Sequence, residues 1–106
     1  MKLGVIVYSN DSETVWNAFR PGNFAQAMGD QVSVFLIGKG VEIESLDTDR
    51  FNISEQVKML VDGGGKIFAC GTCLELRQMK ISDIYMVATL KELYEIVQES
   101  DKIISF

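Results

Sequence analysis

Short apolar segments alternate with longer amphipathic segments along this chain. The apolar segments occupy residues 3–8, 32–37, 66–70, 84–88 and 102–106. The first two are nearly continuous runs without polar alternation, which is typical of strands buried on both faces of a parallel sheet. Strands that alternate with helices form βαβ units, and right-handed crossovers place the helices on both faces of the sheet. The pattern therefore predicts an α/β domain over residues 1–106 with a mostly parallel sheet of five strands.

Polar side chains mark the starts of the helices that follow the second, third and fourth strands. A side-chain acceptor followed three residues later by Glu is the pattern of a capping box, which satisfies free backbone N–H groups at a helix start. The pairs are Asn52 and Glu55, Thr72 and Glu75, and Thr89 and Glu92. The second pair predicts a helix that begins at Cys73 and reaches about Met79.

Three other details follow from local sequence. The first helix starts near Ser12, and Pro21 with Gly22 is expected to break or kink it, because proline disfavours the helical conformation of the residue before it. Residues 41–49 are acidic and lack periodicity, so they are predicted to form a loop. The last helix is predicted to turn Leu90, Leu93, Ile96 and Val97 toward the core.

Composition and charge narrow the class of protein. The chain is 47% hydrophobic, which allows a core without disulfide or metal staples. Its net charge is −5 and its basic residues are scattered, so it lacks the basic stripe of a nucleic-acid-binding protein. No apolar run is long enough to span a membrane, and the first one ends without a signal-peptide cleavage site. The sequence thus predicts a cytoplasmic protein that binds neither nucleic acid nor membrane.

The reactive side chains are few. There is no histidine, which excludes Ser-His-Asp and Cys-His catalysis and any imidazole metal ligand. The two cysteines lie three residues apart, at Cys70 and Cys73. In a reducing compartment such a pair is more often catalytic or metal-binding than a structural disulfide. No cofactor is predicted.

The most informative segment is Cys70-Gly71-Thr72-Cys73. Sites in open parallel sheets form outside the carboxyl ends of the strands, and Cys70 ends the third strand while Cys73 opens the helix after it. The free N–H groups at that helix start stabilise an anion, so a thiolate there should form more easily than on a free thiol. Gly71 permits a tight turn and leaves the sulfur uncovered. Arg77, one turn into the helix, faces either the sulfur or solvent.

Three chemistries fit this segment. The spacing suits a thioredoxin-like dithiol, although the only proline, Pro21, lies far upstream and leaves no later proline for a substrate clamp. Two thiolates fill half of a tetrahedral zinc site, so a metal would need ligands from elsewhere. The third possibility is a sulfur carrier, in which one cysteine bears a persulfide.

The sequence resembles the DsrE family of small sulfur-relay proteins, to which TusD-type subunits belong. The resemblance runs nearly end to end and is carried by the Ser9-Asn10 exit of the first strand, residues 34–41, 51–56 and 64–74, and Arg77. It implies a doubly wound α/β/α fold of three layers, a homo-oligomer or hetero-oligomer, and sulfurtransferase activity between donor and acceptor proteins. The sulfur-carrying cysteine of the family falls on Cys70.

Several supporting residues and alternatives accompany this interpretation. Backbone amides of Gly71 and Thr72 are expected to stabilise the anionic sulfur, with Asn10 and Arg77 beside them. Cys73 has a counterpart in only part of the family, which points to reversible disulfide chemistry beside or instead of sulfur transfer. Another alternative is a binding or scaffold module that oligomerises without chemistry. Pro21 and Gly22 interrupt a helix that is usually continuous in the family.

Overall fold

The computed structural model describes residues 1–106. Its strands are β1 (Lys2–Val7), β2 (Gln31–Leu36), β3 (Lys66–Cys70), β4 (Met86–Ala88) and β5 (Lys102–Ser105). Its α-helices are α1 (Ser12–Ala27), α2 (Ile53–Asp62), α3 (Gly71–Leu76) and α4 (Leu90–Glu99), and a 3₁₀ helix spans Gly38–Ser45. None of these helices combines the length and the hydropathy that crossing a bilayer requires.

The five strands form one sheet in the order β4-β3-β2-β1-β5, and every neighbouring pair is parallel. The chain steps from β1 across to β4, and α4 then carries it back to β5 at the opposite edge. This reversal of direction defines a doubly wound sheet. The α/β fold predicted from the apolar segments is therefore confirmed.

Helices cover both faces of the sheet. On one face, Gly22 of α1 lies against the sheet, where a Cβ on it would be 3.4 Å from Val32 Cγ1 and 3.9 Å from Val5 Cγ2. Gly4 precedes Val5 and faces the other way, toward Ile96 of α4. The core lies between these layers, and its largest fully buried side chains are Phe19, Phe35, Leu36, Ile43, Ile53 and Leu60.

The helix α1 continues through Pro21, so the expected break at this position was wrong. Proline removes one helical hydrogen bond and crowds the preceding turn, at a cost of about 3 kcal/mol in a helix interior. Burial on both sides of the proline offsets that cost. Before it α1 buries Val15, Ala18 and Phe19, and after it Gly22 and Ala25. Tertiary packing therefore outweighs the local preference.

The segment after β2 is a 3₁₀ helix for residues 38–45 rather than the predicted loop. Val41 and Ile43 are almost completely buried and anchor it to the core. Gly40 brings it against the end of β1, because a Cβ at that position would lie 2.1 Å from the Val7 carbonyl oxygen. Only glycine permits this approach, and it fixes the 3₁₀ helix above the carboxyl end of the sheet.

The capping predictions were correct for two of three helices. Thr89 and Glu92 form a reciprocal capping box at the start of α4. The Asn52 side chain accepts a hydrogen bond from the Glu55 N–H at the start of α2. The third predicted cap, Thr72, is replaced by a cysteine, as described with the site below.

The apolar side of α4 is wider than the surface it packs on. Ile96 is buried and Leu93 is partly buried, as predicted. Leu90 and Val97 were also expected to face inward, and this was wrong, because they are 67% and 49% exposed. Together with exposed Tyr94 they form a stripe at helical spacing along the flank of α4.

We predict that the protein is not a monomer in solution. Besides the stripe on α4, Leu76, Ile81 and Met86 expose large apolar side chains along the segment that runs from the end of α3 to the start of β4. Apolar surface of this extent usually marks an interface. Light scattering at micromolar concentration is expected to give a multiple of the subunit mass, and a single-subunit mass would contradict the prediction.

Candidate functional site

The exits of β1, β2 and β3 converge at the carboxyl edge of the sheet. Asn10 follows β1, the 3₁₀ helix that contains Glu42 follows β2, and Cys70 ends β3. The three strands are direct neighbours and parallel, so their carboxyl ends meet at one edge. The two cysteines predicted from the sequence lie in this cluster, at the start of α3.

Cys70 is both the last residue of β3 and the N-terminal cap of α3. Its Sγ accepts a hydrogen bond from the Cys73 N–H at 3.4 Å. The predicted Thr72 cap and the predicted helix start at Cys73 were therefore wrong, since α3 already begins at Gly71 and ends at Leu76. Thr72 is exposed in the first turn. Sulfur is a weak acceptor, so cysteine is not among the residues that usually signal a cap.

Burial governs the ionisation of Cys70. Only 7% of this residue is exposed. Burial raises the pKa of the Cys70 thiol above its usual value, and the neighbouring Cys73 side chain raises it further. The backbone N–H groups of Cys73, which is hydrogen-bonded to the sulfur, and of Thr72 lower the pKa and act in the opposite direction. The helix start thus lessens the cost of a thiolate without making one easier than on a free thiol, contrary to the expectation from sequence.

Cys73 connects the exits of β2 and β3. Its side chain is half-buried, and its Sγ accepts a hydrogen bond from the Gly38 N–H at 3.1 Å. Gly38 has a φ of +57°, in the left-handed region that favours glycine. Each cysteine sulfur therefore accepts one backbone N–H, Cys70 from α3 and Cys73 from the 3₁₀ helix.

Gly71 makes room for β4 beside the cysteines. A Cβ at this position would lie 3.2 Å from Val87 Cγ1 and 3.4 Å from the Ala88 carbonyl oxygen. The absence of a side chain therefore allows the end of β4 to pack closely against the turn after Cys70. Its role in the structure is this close approach to the neighbouring strand.

Arg77 takes neither of the two orientations that the sequence left open, toward the sulfur or toward solvent, because it bonds the Cys73 backbone and Glu42. Its Nη1 donates a hydrogen bond to the Cys73 carbonyl oxygen at 3.2 Å, and its Nε donates to Glu42 Oε2 at 2.9 Å. The Asn10 Nδ2 donates to the other Glu42 oxygen at 3.3 Å. The Arg77 guanidinium and then the Asn10 amide hold the pKa of the Glu42 carboxyl below its usual value.

Glu42 is the site residue that sequence reasoning missed. It joins Asn10 to Arg77, and through Arg77 it reaches the backbone of Cys73. The hydrogen bonds of Glu42 span 32 and 35 residues of sequence, so no local pattern contains them. The only signal was its position just after the second predicted strand, where a site is expected in a parallel sheet.

Solved structures with the same fold support this description of the sheet and helices. The structure is similar to that of the YchN protein of Escherichia coli, with a TM-score of 0.84 over 100% of both chains and 22% sequence identity. It is also similar to a conserved protein of unknown function from Bacteroides thetaiotaomicron, with a TM-score of 0.78, 21% identity and coverage of 99% and 94% of the two chains.

Sequence relatives extend the comparison to two archaeal proteins. An uncharacterized protein of Methanocaldococcus jannaschii is 29% identical over 100% of both chains. An uncharacterized protein of Methanopyrus kandleri is 30% identical over 89% of this chain and 83% of its own. The model of the DsrE/DsrF-like family matches residues 1–106, the whole length described above. The chain therefore belongs to the DsrE/DsrF-like family.

Proposed function

We propose that the protein carries sulfane sulfur as a persulfide on Cys70 and passes it to an acceptor protein. Membership of the DsrE/DsrF-like family supports a role in sulfur relay. The observation that carries the proposal is the placement of Cys70 Sγ at the start of α3, where it accepts the Cys73 N–H at 3.4 Å. That N–H can stabilise negative charge on the sulfur during transfer.

Sulfur transfer to Cys70 is a displacement at sulfur. The Cys70 thiolate attacks the terminal sulfur of a donor persulfide, and a new S–S bond forms as the S–S bond of the donor breaks. The electron pair of the broken bond leaves with the donor thiolate, and the proton stays on the transferred sulfur. An acceptor thiolate then attacks the same sulfur and releases the Cys70 thiolate.

Burial of Cys70 suits a carrier that holds sulfur between partners. A raised pKa keeps the resting thiol protonated and limits its reaction with small oxidants. The added sulfur extends one bond beyond Sγ of Cys70. Next to it, Thr72 is exposed and Cys73 is half-buried, so a partner can approach from this side.

A thiol–disulfide role is the second candidate, favoured by the contact between the two cysteines. The Cys73 backbone already bonds Cys70 Sγ, so the two residues share one turn of chain. In that case the Cys73 thiolate attacks the inner sulfur of a Cys70 persulfide, forms a Cys70–Cys73 disulfide and releases hydrosulfide. Mild oxidation of the protein would give the same disulfide directly.

The experiment that tests sulfur transfer is intact-mass spectrometry of the reduced protein after incubation with glutathione persulfide. We expect a gain of one sulfur atom, located by peptide mapping to the segment of the two cysteines and removed by a dithiol reductant. Protein alkylated beforehand with iodoacetamide is the control and should gain nothing. If sulfane-sulfur donors leave the reduced protein unchanged, a scaffold without chemistry is the better explanation.

A further inference from the structure

The charged pair beside the cysteines has no role in the transfer steps above. Arg77 Nε lies 2.9 Å from Glu42 Oε2, and the Arg77 and Glu42 side chains are 28% and 32% exposed. This partial burial weakens screening of the pair by solvent. The same guanidinium donates to the Cys73 carbonyl oxygen at 3.2 Å, which places its positive charge next to the turn that holds both sulfurs.

We propose that Glu42 and Arg77 are positioning residues that set the reactivity of the cysteine pair through opposite charges. Arg77 favours a thiolate at the site, and Glu42 opposes it by neutralising Arg77 and by adding its own negative charge. This inference deepens the proposed function, on which its biological meaning rests, because a carrier thiol must stay unreactive until a donor is bound. Glu42 supplies that restraint from outside the sulfur-bearing turn.

The other charged groups around the site are exposed or bonded elsewhere, so Glu42 and Arg77 are the charges expected to act on the cysteines. Lys39 of the 3₁₀ helix attracts Glu42, but it is exposed and bonds neither oxygen of the carboxylate. Asp11 accepts the Thr14 N–H and hydroxyl as the cap of α1. Glu44 and Glu75 are exposed to solvent. The strands β3 and β4 bring no charged side chain to their carboxyl ends.

Opposite effects of two substitutions separate a charge effect from a structural clamp. Glu42→Gln leaves the Arg77 charge uncompensated near the sulfurs, whereas Arg77→Gln leaves the Glu42 charge uncompensated. Charge control predicts that the first variant has more thiolate than the wild type and the second has less. A clamp that only holds the 3₁₀ helix to α3 predicts the same direction for both, because each substitution removes one charge of the same ion pair and so weakens the same contact.

The measurement is the rate of iodoacetamide alkylation at Cys70 and Cys73, read by peptide mapping across the pH range in which thiols titrate. No sulfur donor is present, so this test can fail or succeed independently of persulfide transfer. Below the thiol pKa the rate follows the thiolate fraction. Because the partly exposed guanidinium of Arg77 bonds the Cys73 backbone, the rate should rise about threefold in Glu42→Gln and fall about threefold in Arg77→Gln.

Matched controls come from an ion pair elsewhere on the molecule. Lys58 and Asp62 of α2 pair at 2.6 Å and are exposed, so Asp62→Asn and Lys58→Gln make the same changes in net charge away from the site. They should leave alkylation unchanged, and Arg77→Lys should stay nearer the wild-type rate than Arg77→Gln does. Added salt should shrink the opposite shifts of the two site variants. Shifts in one direction for both, or shifts no larger than those of the α2 controls, would overturn the proposal.

Discussion

Replacing Cys70 with serine is expected to abolish sulfur uptake completely. The substitution removes the only atom that forms the new S–S bond, but it keeps an acceptor for the Cys73 N–H, because serine is a good N-terminal cap. The loss should therefore be chemical, with the fold intact. Intact mass after incubation with glutathione persulfide measures the uptake, and thermal unfolding monitors the fold.

The matched control is Cys73→Ser, which keeps an acceptor for the Gly38 N–H. This variant should still take up one sulfur atom, but it should release less hydrosulfide, because no second thiol is left to attack the inner sulfur of the persulfide. If Cys73→Ser loses the adduct while Cys70→Ser retains it, the two cysteines have exchanged roles. Uptake by both variants would mean that sulfur is held at neither position specifically.

Replacing Gly40 with alanine should lower the free energy of unfolding by about 3 kcal/mol or more. The new Cβ would lie 2.1 Å from the Val7 carbonyl oxygen and 2.7 Å from the carbon of the same carbonyl. Both atoms are backbone at the end of β1, which is paired on both edges, so neither can yield cheaply. The 3₁₀ helix must move instead. Urea unfolding measures the loss.

Gly22→Ala is the matched control for this substitution. It makes the same chemical change inside α1, where the Cβ would meet Val32 Cγ1 at 3.4 Å, an ordinary contact. Alanine is the better helix former, so stability should rise by up to about 1 kcal/mol. A similar loss of stability in both variants would show that the approach of Gly40 to Val7 is not what limits the substitution.

Gly40→Ala should also disturb the site through the backbone. The displaced 3₁₀ helix carries Gly38, which donates to Cys73 Sγ, and Glu42, which holds Arg77. Alkylation of Cys73 in the folded variant should therefore differ from the wild type. This result would connect the stability of the 3₁₀ helix to the chemistry of the cysteines.

The sequence predicted the features that depend on neighbours along the chain. Apolar strands, their alternation with helices and the Thr89–Glu92 capping box are each encoded within a few residues, and the structure contains all of them, although the edge strands β4 and β5 are largely exposed. The continuity of α1 through Pro21 could not be predicted in this way. It depends on packing against the sheet and α2, and packing is decided by residues distant in sequence.

In the site too, some features follow from the local sequence and others depend on residues distant in sequence. The position of Cys70 at a strand end follows from local pattern, because an apolar run stops there, but its role as the N-terminal cap of α3 does not. The exposure of Leu90 and Val97 and the role of Glu42 do not either, since both depend on what the rest of the chain places beside them. Helical spacing shows that a face is apolar, but the width of the sheet beneath it decides how much of that face is covered.

The strand order has a consequence for how the protein folds during synthesis. β1 is made first but lies between β2 and β5, and β5 is the last strand in the sequence. The edge of β1 that faces β5 stays unpaired until Leu3 can pair with Lys102, which is made almost the full length of the chain later. Contacts of such long range slow folding, and an apolar strand with an open edge can pair with other nascent chains in the meantime.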